Sequence, residues 1–442
     1  MSAAKRLPSA AVIGAGWAGC TAAVELAAAG CRVTLFEAAR TLGGRARSVE
    51  VHGKTLDNGQ HIMLGAYKDT LRLLRRVGID PSSALLHLPL QMRYPLGSGM
   101  DFVAPRLPAP FHLAIALLRA KGLAREDKMA LARFSTSARW MDWTLYADCS
   151  VTELLDRFDQ TPRLVALMWR PLCLAALNTP PERASAQVFL NVLRDSLGAR
   201  RHASDMLVPR LALGALFPQA AAAFIDQRGG DVRGGARVDK VERSGAAWRV
   251  HTASSSDEFD AVVVATPPAV AGALLDAQLP QPLPSFDHEP ITTCYLQYPE
   301  NTRLALPFYA LEDDREAGHW GQFLFDRGQL DATQAGLLAV VISASSDAAS
   351  LGHDELCTAV ARQVASVLGR PELAAPQWSR AITEKRATFA CTPGLVRPGN
   401  DIGLPSLFLA GDYTANDYPA TLEGAVRSGS AAARAVLAAT TA

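Results

Sequence analysis

Paired cysteines and an excess of charge of one sign are both missing from this chain of 442 residues. The seven cysteines are scattered, with no C-x-x-C pair and no metal-ligand spacing, so the sequence predicts neither a disulfide framework nor a metal site. Their odd number indicates reduced thiols, and we therefore expect a cytoplasmic protein. The formal net charge is only +1, and no basic stripe is visible, which argues against nucleic-acid binding.

A long uninterrupted apolar run is also missing. The most apolar window, residues 206–225, contains Pro209, Arg210 and Pro218, so it does not fit a membrane-spanning helix. Residues 107–122 are apolar and then basic, a pattern that suits either a bilayer interface or a partly buried helix. Peripheral membrane contact at the inner face therefore stays an open alternative.

The N-terminal segment has two basic residues, Lys5 and Arg6, before an apolar stretch, and so it could be mistaken for a signal peptide. The apolar stretch is better explained as the first strand of a nucleotide-binding βαβ unit. Residues Ala10–Ile13 form this strand and lead into Gly14-x-Gly16-x-x-Gly19. An alanine-rich helix follows, and a second strand ends on Glu37.

Each part of this unit has a physical role. Gly14 permits the tight turn, Gly16 leaves room for a pyrophosphate, and Gly19 lets the helix lie close to the strand. The helix N-terminus offers free N–H groups and partial positive charge to phosphate. The carboxylate of Glu37 can accept hydrogen bonds from ribose hydroxyls, and it would repel the 2′-phosphate of NADP. The sequence therefore predicts a dinucleotide site.

A second motif indicates which dinucleotide binds. The segment from Arg40 to Arg45 reads R-x-x-G-G-R and resembles the extension found in flavoproteins of the amine oxidase and carotenoid desaturase class. The resemblance implies FAD, with the two glycines passing near its pyrophosphate and Arg45 contacting it. No second G-x-G-x-x-G lies between a strand and a helix, so we expect electrons to come from the substrate or from an external donor.

The C-terminal region should complete the same site. An apolar strand, Ser406–Ala410, leads into Gly411 and Asp412, which suit contacts to the ribityl or phosphate region of FAD. An alanine-rich helix is predicted over Val426–Ala439, and its N-terminus, near Leu422, can direct backbone N–H groups at the flavin pyrimidine edge.

The order of these segments predicts an α/β protein in which a Rossmann-type FAD-binding domain of the amine oxidase-like class is interleaved with an α+β substrate domain. We assign residues 1–90, 221–275 and 381–442 to the FAD-binding domain, and 91–220 and 276–380 to the substrate-binding domain. Strands around 237–242 and 248–251 should form a β-hairpin. The glycines that flank Arg233 are interpreted as a turn, and Val238 is expected, by resemblance, to contact the adenine.

A narrower resemblance rests on blocks that run along the whole chain. These blocks are DNGQHIMLG at 57–65, PLCLAALNT at 171–179, ASAQ at 184–187 and AGDYT at 410–414. Together they resemble the squalene-associated FAD-dependent desaturases, which are hydroxysqualene dehydroxylases of bacterial hopanoid synthesis. The family implies that the hydroxyl of hydroxysqualene, a C30 allylic alcohol, is replaced by hydrogen to give squalene. In this scheme, hydride passes from reduced flavin N5 to an allylic cation after water is lost.

The resemblance also suggests the reacting residues. The segment with Gly59, Gln60 and His61 is expected beside the isoalloxazine. His61 is the preferred proton donor, with Asp57 as its orienting partner or an alternate. The long-chain isoprenoid would occupy an apolar tunnel.

Alternatives remain open from sequence alone. Asp417 and Tyr418 are weaker proton-donor candidates, and a covalent flavin link at Cys391 is not favoured, so we expect noncovalent FAD. A carotenoid or phytoene-type desaturase, an amine oxidase, or a non-redox prenyl-lipid escort protein would share much of the fold.

Overall fold

The computed structural model describes residues 7–95, 97, 99–279 and 281–441, so Lys5 and Arg6 lie outside the described part of the chain. Within these ranges, each helix is too short or too polar to cross a bilayer. All seven cysteines are buried free thiols.

The strands are numbered in chain order, within the described residues: β1 Ser9–Ile13, β2 Arg32–Glu37, β3 Ser48–Val51, β4 Lys54–Asp57, β5 Met63–Leu64, β6 Leu85–Leu88, β7 Gln91–Arg93, β8 Asp101–Val103, β9 Met206–Pro209, β10 Asp231–Gly234, β11 Val238–Ser244, β12 Ala247–Thr252, β13 Ser256–Phe259, β14 Ala261–Val264, β15 His288–Gln297, β16 Phe308–Ala310, β17 Phe323–Asp326, β18 Leu337–Ser343, β19 Trp378–Phe389 and β20 Leu407–Leu409.

The α-helices of the same part are numbered likewise: α1 Trp17–Ala28, α2 Lys68–Arg76, α3 Pro81–Ala84, α4 Phe111–Arg119, α5 Arg125–Trp140, α6 Val151–Arg157, α7 Pro162–Leu164, α8 Arg170–Leu177, α9 Ala186–Leu193, α10 Leu213–Leu216, α11 Pro218–Asp226, α12 Pro268–Leu275, α13 His353–Leu368 and α14 Leu422–Thr441.

A parallel sheet with the strand order β10-β2-β1-β14-β20 forms the nucleotide-binding half. Strands β1 and β14 are apolar and buried along their whole length, as expected for parallel strands that are covered on both faces. Helix α1 packs against α14 and α11 beside this sheet. The sheet collects strands from the beginning, middle and end of the chain, which confirms the interleaved α/β architecture.

An antiparallel sheet with the order β16-β17-β18-β15-β19 forms the other half. Its register alternates two faces. One face, with Leu296, Leu324 and Val340, is buried in a cluster with helix α13. The opposite face includes Phe323 and Val341 and is therefore free to line a site. The predicted boundary between the substrate-binding and FAD-binding domains, at residues 380 and 381, falls inside strand β19. The domain limits therefore stay predictions.

Most strands around the nucleotide site agree with the sequence prediction. Strand β2 has the predicted limits, and β11 and β12 pair as the predicted antiparallel hairpin. The glycines that flank Arg233 do not form one turn between strands: Gly229 and Gly235 lie in separate turns. Between them, β10 pairs in parallel with β2 and places Arg233 opposite Phe36. This edge strand has only one aliphatic residue, Val232, so its sequence lacks an apolar pattern.

The final helix has its N-terminus near Leu422, as expected, and includes four residues before the alanine-rich stretch Val426–Ala439. Helix α14 starts at Leu422, and the Thr421 hydroxyl accepts a hydrogen bond from the Gly424 backbone N–H at 3.1 Å, which caps the first turn. Within the two apolar windows considered for membrane contact, residues 206–225 fold into β9, α10 and most of α11, whereas residues 107–122 contain helix α4.

Candidate functional site: a cavity with a glycine-rich wall and an apolar wall

A cavity of about 890 Å³ lies where the parallel strands β1, β2 and β14 end. Gly14, Glu37 and Ala265 follow or end these three strands, and all three residues line the cavity. This position, at the carboxyl ends of parallel strands, is where open α/β sheets bind their ligands.

The glycine-rich loop shows three different steric requirements. Gly14 has a φ of +102°, and a Cβ there would lie 2.6 Å from the carbonyl oxygen of Ala265. A Cβ on Gly19 would lie 1.8 Å from the Gly14 carbonyl oxygen, so this glycine allows α1 to pack on the loop. Gly16 is different, because a Cβ there would meet no protein atom within 4 Å. Of these three glycines, Gly14 and Gly16 line the cavity and Gly19 does not.

The acidic end of β2 is tied to the same loop. The two carboxylate oxygens of Glu37 accept hydrogen bonds from the backbone N–H of Ala15 at 2.7 Å and of Ala39 at 2.9 Å. Each oxygen retains further acceptor capacity. Beyond Glu37 the cavity continues between Val238 and helix α12, where Val270 and Leu274 line it.

Arg45 links the R-x-x-G-G-R segment to the C-terminal motif. Its guanidinium donates to Asp412 Oδ1 at 2.6 Å and to the Ala387 carbonyl at 2.8 Å. The Arg45 side chain keeps 40% of its exposure, whereas that of Asp412 keeps 8%. Gly44 packs closely on this loop, since its Cβ position lies 3.2 Å from the Gly16 Cα. Arg45 and Asp412, which are 367 positions apart in sequence, thus form one wall of the cavity.

Helix α14 points its N-terminus at the cavity. Thr421 and Leu422 line the cavity, together with Gly411 and Asp412 from the loop after β20. A helix N-terminus has unpaired N–H groups and partial positive charge, which suit an electron-rich ligand edge.

Gly59, Gln60 and His61 form another part of the lining. The Nδ1 atom of His61 lies 2.6 Å from the Gly59 carbonyl oxygen. Because a carbonyl only accepts, Nδ1 holds the proton and Nε2 of the neutral ring is an acceptor. Burial lowers the pKa of His61 below its usual value, while the Gly59 carbonyl and the charge of Asp57 act in the opposite direction.

Asp57 lies behind the lining rather than in it. One carboxylate oxygen accepts from the Leu213 backbone N–H at 2.7 Å, and the other has no hydrogen-bond partner among the described residues. Burial raises the pKa of Asp57, and the nearby guanidinium of Arg327 partly offsets this effect. Asp57 therefore affects the pKa of His61 through its charge and not through a hydrogen bond.

The face of the antiparallel sheet that is turned away from α13 provides an apolar wall. Ile291, Phe323, Phe325 and Val341 line the cavity from β15, β17 and β18, and Leu174 adds to them from α8. One part of the cavity is therefore polar and glycine-rich, whereas another part is aliphatic and aromatic. Such a combination suits a ligand pair of one nucleotide cofactor and one apolar molecule.

The polar part of the cavity fits a flavin dinucleotide. Among the described residues, three buried polar atoms of cavity-lining side chains have no hydrogen-bond partner: Trp17 Nε1, Thr266 Oγ1 and the Tyr413 hydroxyl. Unpartnered buried groups are costly, so a ligand or water is expected to satisfy them. The open space at Gly16 adds room for a pyrophosphate at a helix N-terminus.

The structure brings most of the residues predicted from sequence to this one cavity; those that line it are Gly14, Gly16, Glu37, Arg45, Gly59, His61, Val238, Gly411, Asp412 and Leu422. Gly19 and Asp57 are not among the lining residues. The sequence analysis missed Tyr67 and Asn58, of which Asn58 donates to the Arg45 carbonyl and to Glu384. Asn58 follows the noted Asp57, whereas Tyr67 has no motif around it.

The weaker candidates occupy other positions. The Tyr418 hydroxyl donates to Asp195 at 2.9 Å, and its ring lies under the guanidinium of Arg427. Tyr418, Asp417 and Cys391 do not belong to the cavity lining. Cys391 is buried, and burial raises the pKa of its thiol to about 12. In the part of the chain that is described, no cluster of three or more His, Cys, Asp or Glu side chains could hold a metal ion.

Comparison with known proteins adds independent information. The family model "Flavin containing amine oxidoreductase" matches residues 17–437. A hydroxysqualene dehydroxylase from Sinorhizobium fredii is 30% identical, with 96% of each chain covered. Another from Rhodopseudomonas palustris is also 30% identical, covering 97% of this chain and 98% of its own.

Among solved structures, cyclohexylamine oxidase from Brevibacterium oxydans has a TM-score of 0.69 at 17% identity, covering 99% of this chain and 100% of its own. At this identity the likeness shows the fold alone. The sequence matches go further: the chain belongs to the flavin-containing amine oxidoreductase family, and within it to the hydroxysqualene dehydroxylases, and it is a flavin-dependent oxidoreductase.

Proposed function

We propose that this enzyme binds FAD noncovalently and reductively dehydroxylates hydroxysqualene to squalene, a step of squalene and hopanoid synthesis. The observation that supports this most is the joining of a dinucleotide cradle and an apolar wall in one cavity. The space beyond Glu37, between Val238 and helix α12, suits an adenosine and so favours FAD over a mononucleotide.

Bound and reduced, FAD would supply the hydride that replaces the hydroxyl group. The protein's own contribution is to bind, orient and exclude water. The backbone at Gly16 and Gly44 and the N-terminus of α1 would hold the pyrophosphate. Glu37 would accept from the ribose, and Arg45 with Asp412 would hold the phosphate or ribityl region. The apolar side chains of β15, β17 and β18 bind the isoprenoid and keep bulk water from the reacting carbon.

Loss of the hydroxyl as water needs a proton, and His61 is our candidate for its donor. The Nδ1–H is held by the Gly59 carbonyl, so the proton to be donated sits on Nε2 of the imidazolium form. A lowered pKa makes that form a stronger acid and a scarcer one at neutral pH. Asp57 would favour the imidazolium through its charge, since its carboxylate bonds to Leu213 instead of the ring.

An anaerobic single-turnover assay tests this function. Protein with chemically reduced flavin is mixed with hydroxysqualene, flavin absorbance is followed, and the lipids are extracted. Flavin reoxidation together with squalene formation is the expected result. Persistent reduced flavin and no squalene would overturn it. Heat release of the flavin, followed by chromatography, identifies FAD and shows whether it is covalently bound.

The same assay separates the alternatives. A carotenoid or phytoene-type desaturase, or an amine oxidase, would reduce oxidised flavin with its substrate. An amine oxidase usually frames the flavin with an aromatic pair, whereas only Tyr413 of the two C-terminal tyrosines lines the cavity. A non-redox escort protein would contain no flavin after purification.

We further propose that the enzyme works in the cytoplasm, against an anionic membrane that stores its lipid substrate. Helix α4 exposes Phe111 by 63% and Leu118 by 70%, and these residues, seven apart, lie on one face. Trp140, at the end of α5, is 92% exposed. Residues 106–140 contain seven basic and two acidic side chains, a net charge of +5 in a chain of net +1. Exposed apolar groups among basic ones suit an anionic bilayer interface.

Vesicle sedimentation tests this contact. Wild-type holoenzyme should bind phosphatidylglycerol-containing vesicles, bind phosphatidylcholine vesicles more weakly, and dissociate at high salt. Leu118→Glu should weaken binding, whereas Val396→Glu, at an apolar residue with 73% exposure far along the chain, should not. Equal binding by both variants would contradict the proposal. Because each turnover consumes a hydride from the reduced flavin, the cycle also requires an external electron donor.

A further inference from the structure

A buried arginine lies directly behind the cavity lining. Arg327 follows strand β17 and is 2% exposed, which is rare for a guanidinium. Its Nε donates to Gln334 Oε1 at 2.8 Å, and its Nη1 donates to Gln60 Oε1 at 2.6 Å. Within the described residues it forms no ion pair with a carboxylate. The Asp57 carboxylate lies near enough to compensate part of this buried charge, but the direct hydrogen bonds of the guanidinium go to two neutral amides, and one of these lines the cavity.

The contact decides which way the Gln60 amide faces. Arginine has only donors, so the atom that it contacts must be the amide oxygen of Gln60. The Nε2 group of Gln60 then donates one N–H to the His61 carbonyl at 3.2 Å. Its other N–H has no protein partner among the described residues. Without Arg327, an amide flip would exchange oxygen and nitrogen at almost no steric cost.

We infer that Arg327 is a positioning residue that locks Gln60 so that an amide N–H donor, and not an acceptor, faces the cavity. A hydrogen bond to a charged group favours one orientation by roughly tenfold to a hundredfold. The donor would serve an oxygen acceptor bound in the cavity. That acceptor is a flavin carbonyl or the hydroxyl oxygen of a substrate alcohol, and the second case rests on the proposed function.

Two glutamine-to-glutamate variants on the same guanidinium provide a matched test. Gln60→Glu keeps an acceptor for Arg327 and removes the N–H donor at the cavity. Gln334→Glu makes the same chemical change on the other side, away from the cavity lining. Arg327→Met removes the lock and leaves Gln60 in place. Thermal unfolding of each holoenzyme identifies general damage.

Two readouts need no turnover. One is the flavin reduction potential without substrate. The other is the ratio of dissociation constants of squalene and hydroxysqualene on the oxidised holoenzyme, which measures how strongly the site prefers a ligand with an oxygen. A changed potential identifies the flavin as the acceptor, and a ratio reduced by about tenfold identifies the alcohol.

The inference predicts that Gln60→Glu and Arg327→Met change the same readout in the same direction, whereas Gln334→Glu resembles wild type. It is overturned if neither readout changes in Gln60→Glu, or if Gln334→Glu changes it equally. If Arg327→Met does not fold, the two glutamate variants still decide. Failure of the wild type to form squalene would overturn the proposed function alone, because both readouts remain measurable.

Discussion

Alanine substitutions at Gly16 and Gly19 should separate cofactor binding from folding, although the two glycines are three residues apart. At Gly19 the new Cβ would lie 1.8 Å from the Gly14 carbonyl oxygen, whereas an ordinary contact needs at least 3.4 Å. The helix must therefore move away from the strand by more than 1 Å. Overpacking against backbone costs typically about 1–3 kcal/mol, and we expect about 3 kcal/mol or more here.

At Gly16 the result should be the opposite. The Cβ would meet no protein atom within 4 Å, and the backbone is extended, with φ −71° and ψ 177°. The unfolding free energy of the flavin-free protein should therefore change by less than about 1 kcal/mol. The methyl group would, however, occupy the space that we propose for the pyrophosphate. Losing about 2–3 kcal/mol of contacts would weaken flavin binding by roughly 30- to 150-fold.

Urea unfolding of the flavin-free protein and fluorescence titration with FAD measure the two effects. Gly272→Ala is the matched control, because Gly272 lies within helix α12 with open space around its Cβ position. It should be neutral or stabilising by about 1 kcal/mol, since alanine favours helix. The steric argument is refuted if Gly19→Ala unfolds like wild type, or if Gly16→Ala retains full affinity for FAD.

Three further predictions follow from single contacts. If protonated His61 is the acid, turnover should rise as pH falls toward the lowered pKa of this residue. His61→Gln should retain the flavin and flatten this pH profile. An unchanged profile in the variant would exclude His61 as the acid. The pKa of His61 is lower in the folded protein than in the unfolded chain, so the unfolded chain binds the proton first as pH falls. The free energy of unfolding should therefore decrease as pH falls from the unfolded pKa to the folded pKa of His61. The difference between the unfolding curves of wild type and His61→Gln measures this effect. Glu423 is fully buried and accepts hydrogen bonds from the Thr70 backbone N–H at 2.9 Å and from Arg427 at 3.0 Å. Glu423→Gln should therefore lower the free energy of unfolding by about 2 kcal/mol, measured by thermal unfolding. Glu372→Gln, at an exposed ion pair, should leave it unchanged.

The parts of the fold that depend on residues close together in sequence were predictable. Strand β2 and the hairpin β11–β12 follow from apolar runs and turn residues, and the glycine loop follows from spacing. The limit is visible at β10, where Asp231–Gly234 has a single aliphatic residue. It becomes a strand because β2 offers an unpaired edge.

The start of helix α14 depends on a distant partner. Its first-turn residue Glu423 is stabilised by the amide groups at the start of α2, including the Thr70 N–H, and these residues lie 353 positions away in sequence. The Thr421 cap of this helix is local, but no local pattern contains the contact between Glu423 and Thr70. Arg327 is a similar case, since a single arginine after a strand gives no sign that it will be buried against Gln60.

The sequence by itself predicted a nucleotide site and the interleaved topology, because glycine spacing, the acid after β2 and the C-terminal Gly-Asp each act within a few residues of a strand end. The resemblance of the segment from Arg40 to Arg45 to a flavoprotein family added the flavin. Only the tertiary structure decided which side chains meet. It joined Arg45 to Asp412, moved Asp57 behind the cavity lining, and gave Gln60 its buried arginine. Such contacts depend on how the parallel and antiparallel sheets pack across one cavity, and that packing is not encoded in any single segment.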